Sequence, residues 1–561
     1  MYILGINCVY HESSAAILKD GRLIAAVEEE RFNRVKHGKP AEIDNPDVLP
    51  LQAIEYCLEQ AGIKIDEVEW VACSFLPENR LDNAKHADFV EAGGWGSEDG
   101  EKFFYDKINQ IPDKLMQMGF HGEFKWISHH LSHAASSYYG SPFEEAAILV
   151  VDGIGESAST MFAIGKGERL LVKEEINYPN SIGFLWEKMC KYLGFSEYDA
   201  CKLMGLATYG RADDKIIAAL NKIVHILPDG KFSIDNNIMK FRIEDYSELE
   251  NSFNTKRRGA NEQVTAVHQN IAYALQKVTE KILLHMIRYF KISTGMDNLC
   301  LAGGVALNCV ANGSIVEEGL YADLYIHMAA HDAGTAVGAA QLVWHEHLNH
   351  TPRFEITHPY YGPSFSDTQY ELALQQAGLT YERKDSIEKY VAQLLCEQKI
   401  IGWFQGAMEF GPRALGNRSL IADPRSPEMR DKINLIVKHR EDFRPFAPSI
   451  LADQLHEWYE VSHACSASDF MLVNYSSKYP EKTPAIVHID GTSRVQTVKP
   501  EINKRYYQLI HEFALLTGVP MILNTSFNDN EPIVCTPQNA VNTFLKSNID
   551  CLVMGDFVAF K

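Results

Sequence analysis

Short apolar runs broken by tight turns open the chain, and the same pattern returns further on. Residues 3–18 read ILGINCVYHESSAAIL, and residues 148–163 read ILVVDGIGESASTMFA. Each stretch begins with an apolar run that stops on a polar residue, Asn7 or Asp152. Each then turns through Cys8-Val9-Tyr10-His11-Glu12 or Gly153-Ile154-Gly155-Glu156 and enters a second apolar run. Lys19-Asp20-Gly21 and Gly165-Lys166-Gly167 supply hairpin turns, and residues 23–27 and 170–172 a third run. Strand, turn, strand, hairpin, strand, written twice, predicts a duplicated α/β domain.

Helical periodicity lies between and after the copies. Leu51, Ile54, Cys57 and Leu58 fall on one face of residues 50–62, which end at a glycine stop. Residues 264–290 carry His268, Ile271, Leu275, Val278 and Ile282 at helical spacing. Residues 297–302 read as a buried strand entering a glycine turn. Residues 345–363 mix His, Pro, Tyr and Gly without either period, which places a linker at 351–363. The expected division is therefore a domain over residues 1–350 and a second α/β domain over residues 364–561.

Composition narrows the class. A length of 561 residues is several times the roughly 150 of one domain, and 46% apolar against 23% charged residues suits a globular chain with ample core. The net charge of −21 argues against a nucleic-acid binder, which needs a basic face. The sequence has no run of about 18 apolar residues for a membrane span and no leader-like N-terminus, so a cytoplasmic protein is expected. Eleven scattered cysteines without a C-x-x-C pair leave any metal to His and carboxylate.

Four constellations carry chemistry. In Ser128-His129-His130-Leu131-Ser132-His133, a helix would project His129 and His133 from one face, able to share a cation. Asp152 ends a strand of the second copy, and Asp332 sits between a strand and a small-residue helix start. Two histidines and a carboxylate with open positions suit Fe²⁺ or another divalent ion. Taken alone, each Asp is more readily a helix cap or turn former. Gly303, Gly304 and Asn308 lie between a strand and a helix, where backbone N–H groups can meet a phosphate, with Gly153, Gly155, Glu156 and Gly334 as companion turns. Residues 202–210 form another small-residue turn or a helix end. His11 follows the first strand and is a candidate general base, its ordinary pKa being near neutrality.

The fourth constellation is the densest. Residues 409–420 read EFGPRALGNRSL, residues 438–446 read KHREDFRPF, and residues 524–528 read NTSFN. Residues 401–450 hold eight Lys and Arg against six Asp and Glu, so this stretch is basic inside an acidic chain. Arg forks and a lysine converging with Asn and Ser donors are what a multiply charged phosphate needs.

Two resemblances follow from these motifs. The duplicated strand pattern resembles the actin-like (ASKHA-type) ATPase fold. His11–Ala15, Glu29–Phe32, His129–His133, Asp152–Glu156, Gly303–Asn308, Glu409–Leu420 and Asn524–Asn528, in this order, resemble the NodU/CmcH family of O-carbamoyltransferases. One departure is Ala407, where many members carry an arginine.

The family resemblance implies an actin-like metal-binding domain followed by a YrdC-like α/β domain. It implies that ATP and carbamoyl phosphate form carbamoyl adenylate, with Mg²⁺ accompanying the nucleotide, and that the carbamoyl group passes to a hydroxyl of an antibiotic, toxin or glycan-type small molecule. His129, His133, Asp152 and Asp332 would hold Fe²⁺, His11 would be the base, and Lys36 would line the carbamoyl or acceptor pocket. Arg413, Arg418, Lys438, Arg444, Asn524, Ser526 and Asn528 would hold carbamoyl phosphate. The expected partners are the small acceptor and a second copy in a homodimer, with no nucleic acid and no membrane. Two rivals remain open at this point: an actin-like-fold metabolite kinase and a non-catalytic nucleotide- and metal-bound assembly factor.

Overall fold

A computed structural model describes residues 1–561 except 84–88, 439, 440, 442 and 464, so His439, Arg440 and Asp442 of the basic run lie outside the described residues. The chain divides into two compact units. One comprises residues 1–29 and 37–356, the other residues 30–36 and 357–561. A single cut at 351–363 was the expectation. The break after Ile356 falls inside that span, but the short segment Glu30–Lys36 belongs with the C-terminal unit.

The first unit contains two sheets of the same design. β1 (Tyr2–Asn7), β2 (Ser14–Lys19), β3 (Arg22–Glu28), β4 (Trp70–Cys73) and β5 (Glu123–Trp126) pair in the order β3-β2-β1-β4-β5. β1, β2 and β3 run antiparallel, while β4 and β5 continue parallel to β1. β6 (Glu145–Val151), β7 (Ala158–Lys166) and β8 (Arg169–Asn177) open the second sheet, and β9 (Val224–Ile226) and β10 (Phe232–Ile234) form a separate hairpin. β11 (Asn298–Ala302) and β12 (Asp323–Ile326) complete the order β12-β11-β6-β7-β8, with the same antiparallel and parallel relations. The repeat read from the sequence is thus a true duplication, and the unit has the actin-like fold. The first hairpin turns at Asp20 (φ +50°) and Gly21 (φ +82°), left-handed positions that reverse two twisted strands in two residues.

Helical periodicity is realised where it was strong. The helix Leu51–Ala61 ends on Gly62 and the helix Ala266–Thr294 on Gly295, both glycines left-handed at φ near +68° and +69°. Residues 202–210, expected as a turn or helix end, are mostly helix, Ala200–Ala207.

Two glycines set the depth of packing around the future site. An added Cβ on Gly338 would lie 1.8 Å from the Ser132 carbonyl oxygen, so the helix Thr335–Leu342 rides directly on the helix His129–Tyr139. An added Cβ on Gly5 of β1 would lie 1.8 Å from the Ala336 carbonyl oxygen on the other side of that helix. Ala134, Ala135, Ala339 and Ala340 continue the small-residue seam in the core, with Tyr138 and Tyr139 filling its flank.

The C-terminal unit is α/β, as expected of a YrdC-like domain. Its eight-stranded sheet runs in the order Thr380–Arg383, Phe557–Phe560, Cys551–Met554, Ile401–Phe404, Arg418–Ala422, Met521–Ser526, Ala447–Leu451, Gln496–Val498. The segment Glu30–Lys36 plugs into this unit. Phe32 packs against Met408, Ala414, Ile533 and Cys535, Arg31 donates to the Gly411 carbonyl at 2.9 Å, and Arg34 donates to the Ile533 carbonyl at 2.7 Å.

Overpacking the helix seam gives a direct test. Gly338→Ala forces two close backbones apart and is expected to cost about 1–3 kcal/mol, read as a lower urea midpoint without a change of slope.

Candidate metal centre and basic loop

The sequence places His129 and His133 one helical turn apart, and the fold completes the set. Asp152 follows the last residue of β6, and Asp332 opens the short turn before the helix Thr335–Leu342. One donor atom from each of His129, His133, Asp152 and Asp332 lies within 4.8 Å of the others. His129 Nε2 stands 3.2 Å from Asp152 Oδ2 and 3.5 Å from Asp332 Oδ1. His133 Nε2 stands 3.5 Å and 3.4 Å from the same two oxygens. All four side chains are buried.

Electrostatics follow from that geometry. Burial opposes a charge on His129, but the adjoining Asp332 and Asp152 carboxylates outweigh it and raise its pKa well above that of a free imidazole. His133 is raised in the same contest between burial and the two carboxylates. Burial works against ionised Asp152 too, yet the paired histidines hold it well below the usual carboxylate range. His130 points elsewhere on the same helix, and burial pushes it down to about 3.

Neighbouring backbone fixes the donors. Glu156 Oε1 accepts from His129 N at 2.9 Å and Leu76 N at 2.8 Å, capping the histidine helix. Gly304 N donates to Asp152 Oδ1 at 2.9 Å, which leaves Oδ2 facing the histidines. This arrangement differs from a phosphate cradle. The N–H groups of Gly155, Gly303, Gly304 and Gly334 donate to Ala158 O, Ala330 O, Asp152 and His331 O, so they are spent inside the chain. Glycine is needed there for close approach: an added Cβ on Gly303 (φ +88°) would lie 2.3 Å from Val151 O, and one on Gly155 would lie 2.6 Å from His130 Nδ1. Asn308 caps the helix Cys309–Glu318 and exchanges hydrogen bonds with Gln276. Gly153 keeps open space, its added Cβ finding only ordinary contacts at 3.6 Å or more.

His11 sits on a strained turn beside this centre. Tyr10 and Glu12, on either side of it, adopt left-handed φ of +60° and +56°. Tyr10 donates to the Gly155 carbonyl at 2.8 Å, and its ring meets that of His129 edge-on at 6.5 Å. The His11 imidazole lies edge-on to Tyr198 at 5.4 Å, and His37, stacked on Tyr198 at 4.4 Å, pairs with Glu12 at 2.6 Å. Neither Tyr198 nor the Glu12–His37 pair was expected, because nothing in the local sequence marks residues so far apart as neighbours.

In the C-terminal unit the predicted residues separate into two groups. Lys438 Nζ donates to Ser526 O, Asn528 O and Asn528 Oδ1, each at 2.6 Å, and Ser526 Oγ donates to Asn528 Oδ1 at 2.8 Å. These three are brought together. Arg444 pairs at 3.8 Å with Glu441, and Arg413 is half-buried on the loop. Arg418 is fully buried, stacked 3.7 Å over Phe404, and donates to the carbonyls of Gln405, Gly406, Asn417 and Pro363. Asn524 donates to Ala414 O, Ser449 Oγ and Gln496 Oε1. Arg418 and Asn524 thus serve the loop itself. Glu409, also unexpected, anchors that loop by accepting from Leu415 N, Asn417 N and Arg418 N at 2.7, 2.9 and 3.3 Å. Lys36 is exposed on the segment that belongs to this unit.

Two measurements check these placements. His133→Ala or Asp332→Asn is expected to reduce bound divalent metal from about one ion per chain to near none, by elemental analysis after dialysis; unchanged content places the metal elsewhere. Arg418→Ala is expected to destabilise by more than about 2 kcal/mol in denaturant titration, because several buried carbonyls lose their donor.

Comparison with known proteins agrees with this architecture. The carbamoyltransferase N-terminus family matches residues 2–341 and the carbamoyltransferase C-terminus family residues 392–561. The nodulation protein NolNO of Sinorhizobium fredii is 36% identical over 99% of this chain and 80% of its own length. An uncharacterized protein of Synechocystis sp. is 38% identical over 100% of this chain and 97% of its own. Full-length HypF, solved in a phosphate- and nucleotide-bound form, aligns over 61% of this chain and 55% of its own at 12% identity, with a TM-score of 0.34. On the strength of both family matches and the full-length relatives, this chain belongs to the carbamoyltransferase family, NodU-type enzymes that transfer a carbamoyl group.

Proposed function

We propose that the protein is an ATP-dependent O-carbamoyltransferase acting on a hydroxyl of a small molecule. Atom balance divides the reaction into stages. Carbamoyl phosphate yields phosphate to water and leaves carbamate, whose oxygen attacks the α-phosphorus of ATP and expels pyrophosphate. The acceptor oxygen then attacks the carbamoyl carbon, the C–O bond to AMP breaks, and the acceptor proton passes to a base. Carbamoyl phosphate and its adenylate are both labile in water, so enclosed sites limit their loss.

The observation that carries the reading is the buried set His129, His133, Asp152 and Asp332 next to the His11 turn. Two imidazoles and two carboxylates suit Fe²⁺ or another borderline divalent cation, and their paired charges fit one. Such an ion, when bound, supplies Lewis-acid polarisation of an oxygen. The chain's own residues do the rest. Glu156 holds the start of the histidine helix, and the Gly304 N–H turns Asp152 toward its partners. His11 takes the acceptor proton on an imidazole set by Tyr198. In the C-terminal unit, Lys438, Ser526 and Asn528 form the phosphate cradle for carbamoyl phosphate, with Arg413 and Arg444 adding charge. Lys36 lines the carbamoyl path, and the open turn at Gly153 meets the nucleotide. Ala407 leaves one phosphate contact of the family unfilled.

Product analysis tests the reading. Pyrophosphate should appear only when carbamoyl phosphate is present, and AMP and the carbamoylated product only when a hydroxyl acceptor is added as well; ADP formed without carbamoyl phosphate would instead mark a kinase. His11→Ala should lower transfer by about 10²–10⁴-fold while pyrophosphate release persists, and full transfer by that variant would favour a non-catalytic factor. Lys438→Met should raise the KM for carbamoyl phosphate by about tenfold or more through loss of a charged hydrogen bond.

A further inference from the structure

The Asp152–Gly153 turn has a second neighbour that the reaction above does not use. Ser181 donates to the Gly153 carbonyl at 2.6 Å and accepts from Phe184 N at 3.0 Å, so the helix Ile182–Tyr192 begins on this turn. Gly183 permits the approach, since an added Cβ there would lie 2.6 Å from Gly153 N. Phe184 and Glu187, one turn apart, share the face toward Gly153, 3.8 and 3.6 Å from where its Cβ would stand.

That face carries an aromatic platform. Phe184 meets Tyr178 edge-on at 5.8 Å and Phe241 at 5.9 Å. The Arg242 guanidinium lies over two of these rings, 4.9 Å from the Tyr178 centroid and 5.1 Å from that of Phe184. Its Nε is buried without a hydrogen-bond partner among the described residues. The nearby Arg80 differs: it is forked onto Glu101 and so is already neutralised. Burial, with Asp152 close by, pushes the Glu187 carboxyl up to about 8.

A guanidinium held over two rings, with its buried Nε unpartnered among the described residues, is arranged for a planar or tetrahedral oxyanion. We propose that Arg242, laid on Tyr178 and Phe184 beside the Gly153 turn, is a subsite for one oxyanion group, a carboxylate or a phosphate, of a molecule bound next to the four-donor cluster. That the molecule is a substrate of carbamoyl transfer rests on the function proposed above; the anion subsite itself does not. The oxyanion has two sources, the phosphate of the nucleotide or a carboxylate on the acceptor.

Binding measurements on the full chain separate them. Wild type, Arg242→Gln and Arg242→Lys are titrated with AMP against adenosine and with gluconate against glucose. Arg242→Gln is expected to weaken AMP or gluconate by about 10–100-fold and to leave the uncharged counterpart unchanged, with Arg242→Lys between. Loss confined to AMP assigns the nucleotide phosphate; loss confined to gluconate assigns an acidic acceptor. Metal content equal to wild type shows the variant is folded. If Arg242→Gln does not fold, Phe184→Leu, which keeps every charge and removes the platform, is expected to weaken the same probe. Equal affinity of wild type and variants for both anions, or no affinity of wild type for either, overturns the subsite. Arg242-dependent binding without carbamoyl transfer to any acceptor sinks the enzymatic reading and leaves the subsite standing.

Discussion

Two carboxylates and two imidazoles share a buried space with their donor atoms within 4.8 Å, and the surrounding fold is organised to keep them there. Buried charge of either sign is costly unless opposed, and here the oppositely inclined groups come from three separate places in the chain. The histidines are held by a helix whose first turn is bonded to Glu156, and Asp152 by a strand end whose second oxygen is engaged by Gly304. Asp332 is delivered by the helix that rides on the histidine helix through Gly338. Removing any of these ties leaves a charge without its counterpart, so the centre and the packing around it stand or fall together.

Much of this was legible in the residues. Apolar runs repeated with the same kind of turns pointed to two equivalent sheets, and the i, i+4 spacing of His129 and His133 puts both rings on one side of a helix. Asp152 could be joined to them because the duplication gives the end of β6 the same station as the end of β1. The fate of the glycines was not legible. A Gly-Gly pair between strand and helix looks the same whether its N–H groups meet a ligand or a neighbouring carboxylate, and Gly304 spends its donor on Asp152. The surroundings of Arg418 were hidden for a related reason: sequence counts charges and cannot show that a guanidinium donates to carbonyls of its own loop. Tyr198 and Arg242 gave no local sign, because their partners lie far away along the chain and meet them only through tertiary packing.

Two left-handed non-glycine residues, Tyr10 and Glu12, flank His11 and cost roughly 1–3 kcal/mol each. They persist because Asn7 donates to the carbonyls of both His11 and Glu12, Tyr10 reaches Gly155, and Glu12 is held by His37. The backbone that carries the His11 imidazole is therefore held in place by side chains from several parts of the unit.

The plug formed by Glu30–Lys36 has a bearing on how the chain can be dissected. Phe32, Arg31 and Arg34 fill an apolar socket and its carbonyl rim in a unit whose remaining residues begin only at Thr357. A fragment starting there would carry an empty apolar hollow and unsated backbone oxygens, while its counterpart would leave Phe32 without its socket. Neither half is an autonomous module in the ordinary sense: the linear order of the chain and the folded parts are interleaved, because residues 30–36 belong to the unit built from residues 357–561.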